Sequence, residues 1–231
     1  AKVILACRDM TKAESAAEQI RRETGNRNVI IRELDLASME SIRLFAKSII
    51  ENETQLDILI NNAGVFKTER HETSDGFELQ WGTNHLGPFL LTNLLLDLLK
   101  NSAPSRIINV SSKLHRNPKM KIRFDDPNLK DNYDPDLAYG QSKLANILFT
   151  NELARRLQGT GVTCYSLHPG VVLTEIARDF SSWKLALIYL IAFILIKTPE
   201  DGAQTTIHCA VEESLANETG YYYSDCKRKD P

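Results

Sequence analysis

No glycine occurs before Gly25 in this 231-residue chain, so any turn that follows its first apolar stretch is made by other residues. The four cysteines, Cys7, Cys164, Cys209 and Cys226, form no C-x-x-C pair, and the five histidines show no H-E-x-x-H spacing. That argues against a zinc site or a disulfide scaffold; in a chain long enough to bury a core, such cysteines read as buried thiols. Neither sign of charge dominates: 28 basic residues face 30 acidic ones, for a formal charge of -2. Bulk electrostatics therefore gives no reason to expect a nucleic-acid partner, and the basic run Lys227-Arg228-Lys229 is short. The uncharged run Leu185 to Ile196 falls below the roughly 20 residues that span a bilayer. No signal-peptide pattern opens the chain. Lys2 to Ala6 read instead as a strand entered without a turn, as if the sequence began partway through a domain.

What is present alternates. Asn28 to Glu33, Leu56 to Ile60, Arg106 to Val110, Val162 to Leu167 and Tyr221 to Tyr223 read as further strands. Thr11-Lys12-Ala13-Glu14 has the capping-box pattern for a helix that Gly25 closes. Ser38 caps the next, with Ile42, Phe45 and Ile49 at helical spacing. Further helices are expected from about Phe77 to Lys100, from the Tyr139 region to about Leu157, and from Thr198-Pro199 onward. Lys113 to Leu137 is a Pro-, Asp- and Asn-rich insertion, long enough to be functional or disordered, and the residues after Tyr223 read as polar and loose. This alternation predicts one α/β domain over 1–231: a doubly wound, Rossmann-like parallel sheet with helices on both faces. Ligands of such sheets bind beyond the carboxyl ends of the strands. Arg8, Asp35, Asn62, Ser112 and Pro169 all follow predicted strand ends, so one ligand can touch all five.

Tyr139-Gly140-Gln141-Ser142-Lys143 heads the helix after the insertion. Its phenol and ammonium, four residues apart, share one helix face. A lysine charge there biases the tyrosine toward ionisation, which suits proton transfer near neutral pH. Tyr-x-x-x-Lys also arises by chance, and the plainer alternative is a helix with a surface tyrosine and lysine.

The remaining motifs weigh on that choice. Ala6-Cys7-Arg8-Asp9, Leu34-Asp35-Leu36-Ala37-Ser38, Asn61-Asn62-Ala63-Gly64, Asn84-His85-Leu86-Gly87, Asn109-Val110-Ser111-Ser112, Tyr139 to Lys143 and His168-Pro169-Gly170 cover nearly the whole chain. In this order they resemble the short-chain dehydrogenase/reductase superfamily, most of all its retinol dehydrogenase group. The resemblance implies an oxidoreductase that moves a hydride between a nicotinamide and an alcohol/carbonyl pair. Such chemistry needs a base for the hydroxyl proton and a group that holds the oxygen. It makes Tyr139 the base, and the acid in reverse, with Lys143 lowering its pKa and bonding the nicotinamide ribose. Ser112 holds the substrate oxygen, while Ser111 points into the fold. Asn84 positions a water chain from Lys143 to solvent; its alternative is a buried amide tying helix to backbone.

For the cofactor, the resemblance puts Asp35 and Leu36 at the adenine, and Asn62, Ala63 and Gly64 along the adenosine ribose and diphosphate. Pro169, Gly170, Val172 and Thr174, with Tyr139 and Lys143, fall at the nicotinamide end. Relatives that use NAD tend to carry an acid where Cys7 stands, and the neighbouring Arg8 suits the 2'-phosphate of NADP(H). The competing role for Arg8 is a surface ion pair with Asp9.

In the family, the segment after the Pro-Gly turn covers the substrate. Here residues 175–197 form a strongly apolar stretch that fits an interfacial segment or a buried lid. It implies a hydrophobic substrate, a retinoid or other lipid alcohol or aldehyde, reached from a membrane surface; a core helix or dimer contact is the alternative. The expected setting is an intracellular membrane: endoplasmic reticulum, mitochondrial or lipid-droplet surface. The leucine-rich stretch from Phe89 to Leu99 suits burial against the sheet, and also against a second copy in a homodimer.

The sequence departs from the family at its glycine-rich nucleotide turn, which follows the first strand and cradles the diphosphate. In the implied fold that strand lies mid-sheet, between those at Lys2 and Leu56, so the sheet is expected to lack its first strand. Two expectations of different class follow: an NADP-dependent oxidoreductase, or a truncated, catalytically silent form that acts as a dimer partner or lipid-binding module.

Overall fold

The computed structural model describes residues 1–172 and 197–231. Thr174 and the apolar segment before Lys197 lie outside the described residues. Strand β1 (Val3–Cys7) leads into helix α1 (Met10–Thr24), then β2 (Val29–Glu33), α2 (Met39–Asn52) and β3 (Ile58–Asn61). A helical run follows as α3 (Leu79–Trp81), a π-helical turn (Gly82–Leu86) and α4 (Gly87–Asn101). Then come β4 (Ser105–Val110), α5 (Pro135–Arg156), β5 (Val162–His168), α6 (Pro199–Val211), β6 (Tyr221–Ser224) and β7 (Lys227–Lys229). The α/β class is as expected.

The strands form two sheets. β1 and β2 pair in parallel by themselves, whereas β3, β4, β5 and β6 form a parallel sheet that β7 extends antiparallel. Among the described residues no ladder joins β1 to β3, and each keeps one unpaired edge. Both are apolar runs of the kind that parallel sheets bury on two faces, yet Val3 is 37% exposed and Ile60 42%. Packing, rather than a ladder, unites the sheets. Leu34, Ile42, Phe45 and Ile49 share a core with Leu91, Leu95, Leu99 and Ile107. On the opposite face Ile108, Val110, Tyr165, Leu167 and Tyr223 pack with Cys209 and Ala210 of α6. The alternation along β4, Ile107 one way and Ile108 the other, is the period of two that lets one strand serve both cores.

Several boundaries differ from expectation for local reasons. Helix α1 starts before Thr11: Asp9 is its N-cap, its Oδ1 accepting from the Lys12 N–H at 3.0 Å, and aspartate caps at least as well as threonine. Gly25 ends that helix in the left-handed region, at φ 71°. The chain's end is structured, since β7 pairs back on β6 through a turn with Asp225 at φ 54° and Cys226 at φ 55°. Such turns favour Asn-Gly, so Asp-Cys carried little hairpin signal.

Helix α5 starts at Pro135, capped by Asp134, a turn ahead of Tyr139. It is buried nearly all round, including Gln141, Ser142, Lys143, Asn146 and Thr150. Those polar groups are satisfied within the fold: Asn146 Nδ2 donates to the Asn84 carbonyl at 3.0 Å, and Thr150 Oγ1 to the Asn146 carbonyl at 2.8 Å.

Candidate active site

Ser112 leaves β4 in extended conformation, at φ -153° and ψ 150°. Its hydroxyl accepts the Leu114 N–H at 3.3 Å and interacts with the Tyr139 phenol so as to lower its pKa. Ser111 turns the other way, as expected, and donates to the Lys143 carbonyl at 2.7 Å. One turn beyond Tyr139, Lys143 is 2% exposed; its Nζ donates to the Val110 carbonyl at 3.1 Å and lies 5.5 Å from the centre of the Tyr139 ring. The Phe66 ring meets Tyr139 edge-on, with centroids 5.6 Å apart. The chain leaving β4 and the helix one turn past its cap thus bring serine, tyrosine and lysine together.

The electrostatics correct the simple view of the Tyr–Lys pair. Burial pushes the Tyr139 phenol up to about 12, partly offset by the Ser112 hydroxyl. Burial also pushes the Lys143 ammonium down to about 8. Lys143 lies by the ring and bonds Val110, and its charge does not outweigh desolvation of the phenol. Tyr139 is therefore a protonated acid at neutral pH.

Asn84 occupies the π-helical turn between α3 and α4 and is fully buried. Its Oδ1 accepts the Val65 N–H at 2.7 Å, and its Nδ2 donates to the Val65 carbonyl at 2.9 Å and to Ser142 Oγ at 3.2 Å. These bonds tie the π-helical turn to the backbone that follows β3. The extra residue of the π turn re-aims one side chain out of helical register, as such turns do at functional sites. A methyl group on Gly64 would lie 3.2 Å from Lys143 Nζ and 3.3 Å from Asn84 Oδ1. Glycine is what lets the loop after β3 approach both.

The other predicted ligand contacts follow the carboxyl ends of β1, β2, β3 and β5 in the chain. Arg8 is exposed, with no hydrogen bond or ion pair among the described residues, because Asp9 is spent on the α1 cap. Asp35 Oδ1 accepts the Ala37 N–H at 2.9 Å. Leu36 packs on the core, and its carbonyl lies 2.5 Å from where a methyl on Gly87 would be. Asn62 and Ala63 are exposed beyond β3, and Pro169 is half-buried after β5. Gly170 has φ 101°, and Val172 bridges to Lys197.

The insertion is a built part of the site. Met120 lies against Gly140, where any side chain would strike its sulfur. The fully buried Gln141 accepts the Arg123 N–H at 3.3 Å and donates to the Pro127 carbonyl at 2.9 Å. Leu129 is fully buried. The Gly-Gln pair inside Tyr139–Lys143 was the available signal for this docking.

These features match known proteins. The profile of the short chain dehydrogenase family fits residues 1–123 and 130–185. Retinol dehydrogenase 12 of Mus musculus is 53% identical over 228 residues, 99% of this chain and 71% of the relative. Retinol dehydrogenase 13 of Homo sapiens is 54% identical over 237 residues, 99% of this chain and 70% of the relative. Among solved structures, the Pseudomonas aeruginosa RhlG/NADP active-site complex aligns with a TM-score of 0.72 at 26% identity, over 96% of this chain and 83% of that one. The NADPH-bound carbonyl reductase from chicken fatty liver aligns at 0.65 and 25%, over 96% and 84%. The chain, with its Ser112, Tyr139 and Lys143 arranged on a parallel α/β scaffold, belongs to the short chain dehydrogenase family of oxidoreductases.

Proposed function

We propose that this chain interconverts a hydrophobic alcohol of the retinol type and its aldehyde or ketone, with NADP(H). The observation that carries this reading is the contact of Ser112 with Tyr139 above a buried Lys143. One feature fits a nicotinamide cofactor there: a Lys143 ammonium with one of its three N–H groups on Val110. When bound, the nicotinamide supplies or accepts the hydride. In the reducing direction Tyr139, protonated at neutral pH, gives its proton to the carbonyl oxygen. Ser112 donates a hydrogen bond to the same oxygen as charge grows on it. Lys143 stabilises the tyrosinate left behind. The exposed Arg8 guanidinium supports NADP, whose 2'-phosphate it can pair in bidentate fashion; the NADP- and NADPH-bound relatives support the same choice.

Tyr139→Phe is expected to keep cofactor binding while turnover of retinal falls by about 1,000-fold or more. Turnover with NADPH should exceed that with NADH, and a clear NADH preference would sink the assignment of Arg8. The apolar run of residues 185–196 supports access from a membrane surface. Flotation with phospholipid vesicles should fall when this run is made polar; equal partitioning counts against that access.

A second reading, a silent dimer partner or lipid-binding module, is favoured by the edges of β1 and β3 that stay unpaired among the described residues. Titration of NADPH fluorescence against the chain separates the two, binding supporting the enzyme.

A further inference from the structure

Beneath the catalytic serine, two buried histidines meet one peptide group. His115 Nδ1 bonds the Ser112 carbonyl, so that nitrogen bears the hydrogen and donates it. The Lys113 N–H donates to His168 Nδ1 at 3.3 Å, so there Nδ1 is the lone-pair nitrogen and Nε2 bears the hydrogen. The carbonyl and the N–H are the two ends of a single peptide plane, between Ser112 and Lys113. His115 is 7% exposed and His168 5%. Burial holds both rings in the neutral form that this arrangement needs, with His168 down to about 4.

The rings are in turn backed by a polar group of side chains. Tyr222 packs edge-on against His115, with centroids 5.3 Å apart, and lies opposite Ser166 in the β5–β6 ladder, two residues from His168 on the same face. His115 Nε2, His168 Nε2, Ser166 Oγ and Tyr222 Oη are all buried without a protein partner among the described residues. They comprise an acceptor, a donor and two hydroxyls that can be either, a set that shared water can complete.

We propose that His115 and His168 are positioning residues: by gripping the Ser112–Lys113 peptide at both ends they fix ψ of Ser112 and aim its hydroxyl at Tyr139. This rests on the reading of Ser112 as the holder of the substrate oxygen. Neither ring lies on the serine hydroxyl itself. The grip works through the backbone, where a small rotation of the peptide swings the hydroxyl away from the phenol. A mis-aim of about 1 Å is enough to cost on the order of 100-fold in rate.

The test uses the full chain, isotopically labelled, with His168→Asn and His168→Gln. Asparagine can present its carbonyl where Nδ1 stood; glutamine keeps a buried amide but shifts its acceptor to the Nε2 position. In His168→Gln the Lys113 amide should exchange with solvent at least about tenfold faster. The Tyr139 Cζ resonance at neutral pH should move toward its position in Ser112→Ala. In His168→Asn both should stay near those of the parent chain. Retinal turnover with NADPH should follow the same order, about 10- to 100-fold down in the glutamine variant, with NADPH affinity unchanged. Equal exchange and equal Tyr139 resonance in all three chains would overturn the grip, whether or not the chain turns over. A resonance that moves as predicted, in a chain that does not reduce retinal, leaves the grip standing and overturns the proposed activity instead.

Discussion

Lys143 is the residue at which burial and charge conflict most directly. Its ammonium is held at about 8 against an ordinary 10.5, so between these values the unfolded chain binds the extra proton and the folded chain does not. Stability from this group therefore rises as pH increases from about 8 to about 10.5. Below that window the buried charge is a cost on the order of 3 kcal/mol. Lys143→Met should accordingly be more stable than the parent at pH 7, with an advantage that shrinks across the window; denaturant melts of both chains at pH 7 and pH 10.5 check it. A constant difference would mean that Lys143 is not desolvated. Under the proposed function, the tyrosinate that Tyr139 would become is the charge this costly group is placed to meet.

At the scale of elements, α5 organises the site by what it docks. Gly140 is bare where Met120 crosses it, and Gln141 is bonded to the loop on both ends of its amide. Gly140→Val should lift this loop, destabilise the chain by about 1–3 kcal/mol through overpacking, and speed proteolysis between residues 117 and 134. Unchanged cleavage would show that Met120 yields without moving the loop.

Much of the element order was legible in the sequence, because strands such as Arg106–Val110 and caps such as Ser38 are local signals; the Asp134 cap, inside what read as insertion, was not. Ser112, Tyr139 and Lys143 were singled out by the resemblance that the seven motifs carry in order, since the Tyr-x-x-x-Lys spacing alone also fits a surface pair. The insertion's packing was not legible, since it depends on Met120 and Leu129 finding distant partners. Nor was the protonation of Tyr139, where the spacing to Lys143 suggested a lowered pKa and only the depth of burial showed the opposite. Asn84 was legible as important, but its bonds to Val65 depend on a π turn that no local pattern announces.

For the whole molecule, two sheets joined by side chains imply uneven stability. β4 and β5 are hydrogen-bonded on both edges and nearly all buried, whereas β1 and β3 each present one edge unpaired among the described residues. Amide exchange should therefore be slowest along Ser105–Val110 and Val162–His168. It should be markedly faster along Val3–Cys7, by about tenfold or more, as expected where opening needs only local unfolding. Uniform protection across all four strands would show that the sheets open only together.

Those free edges also bear on how the chain behaves in company. Val3-Ile4-Leu5-Ala6-Cys7 and Ile58-Leu59-Ile60 are uncharged, β-prone rows, each with one edge of backbone donors and acceptors unpaired among the described residues, the configuration from which edge-to-edge association starts. Handling these 231 residues on their own is thus a question of concentration as much as temperature: solutions that are clear when dilute should cloud and gain cross-β dye binding when concentrated, and a lysine in place of Ile60 should keep them clear.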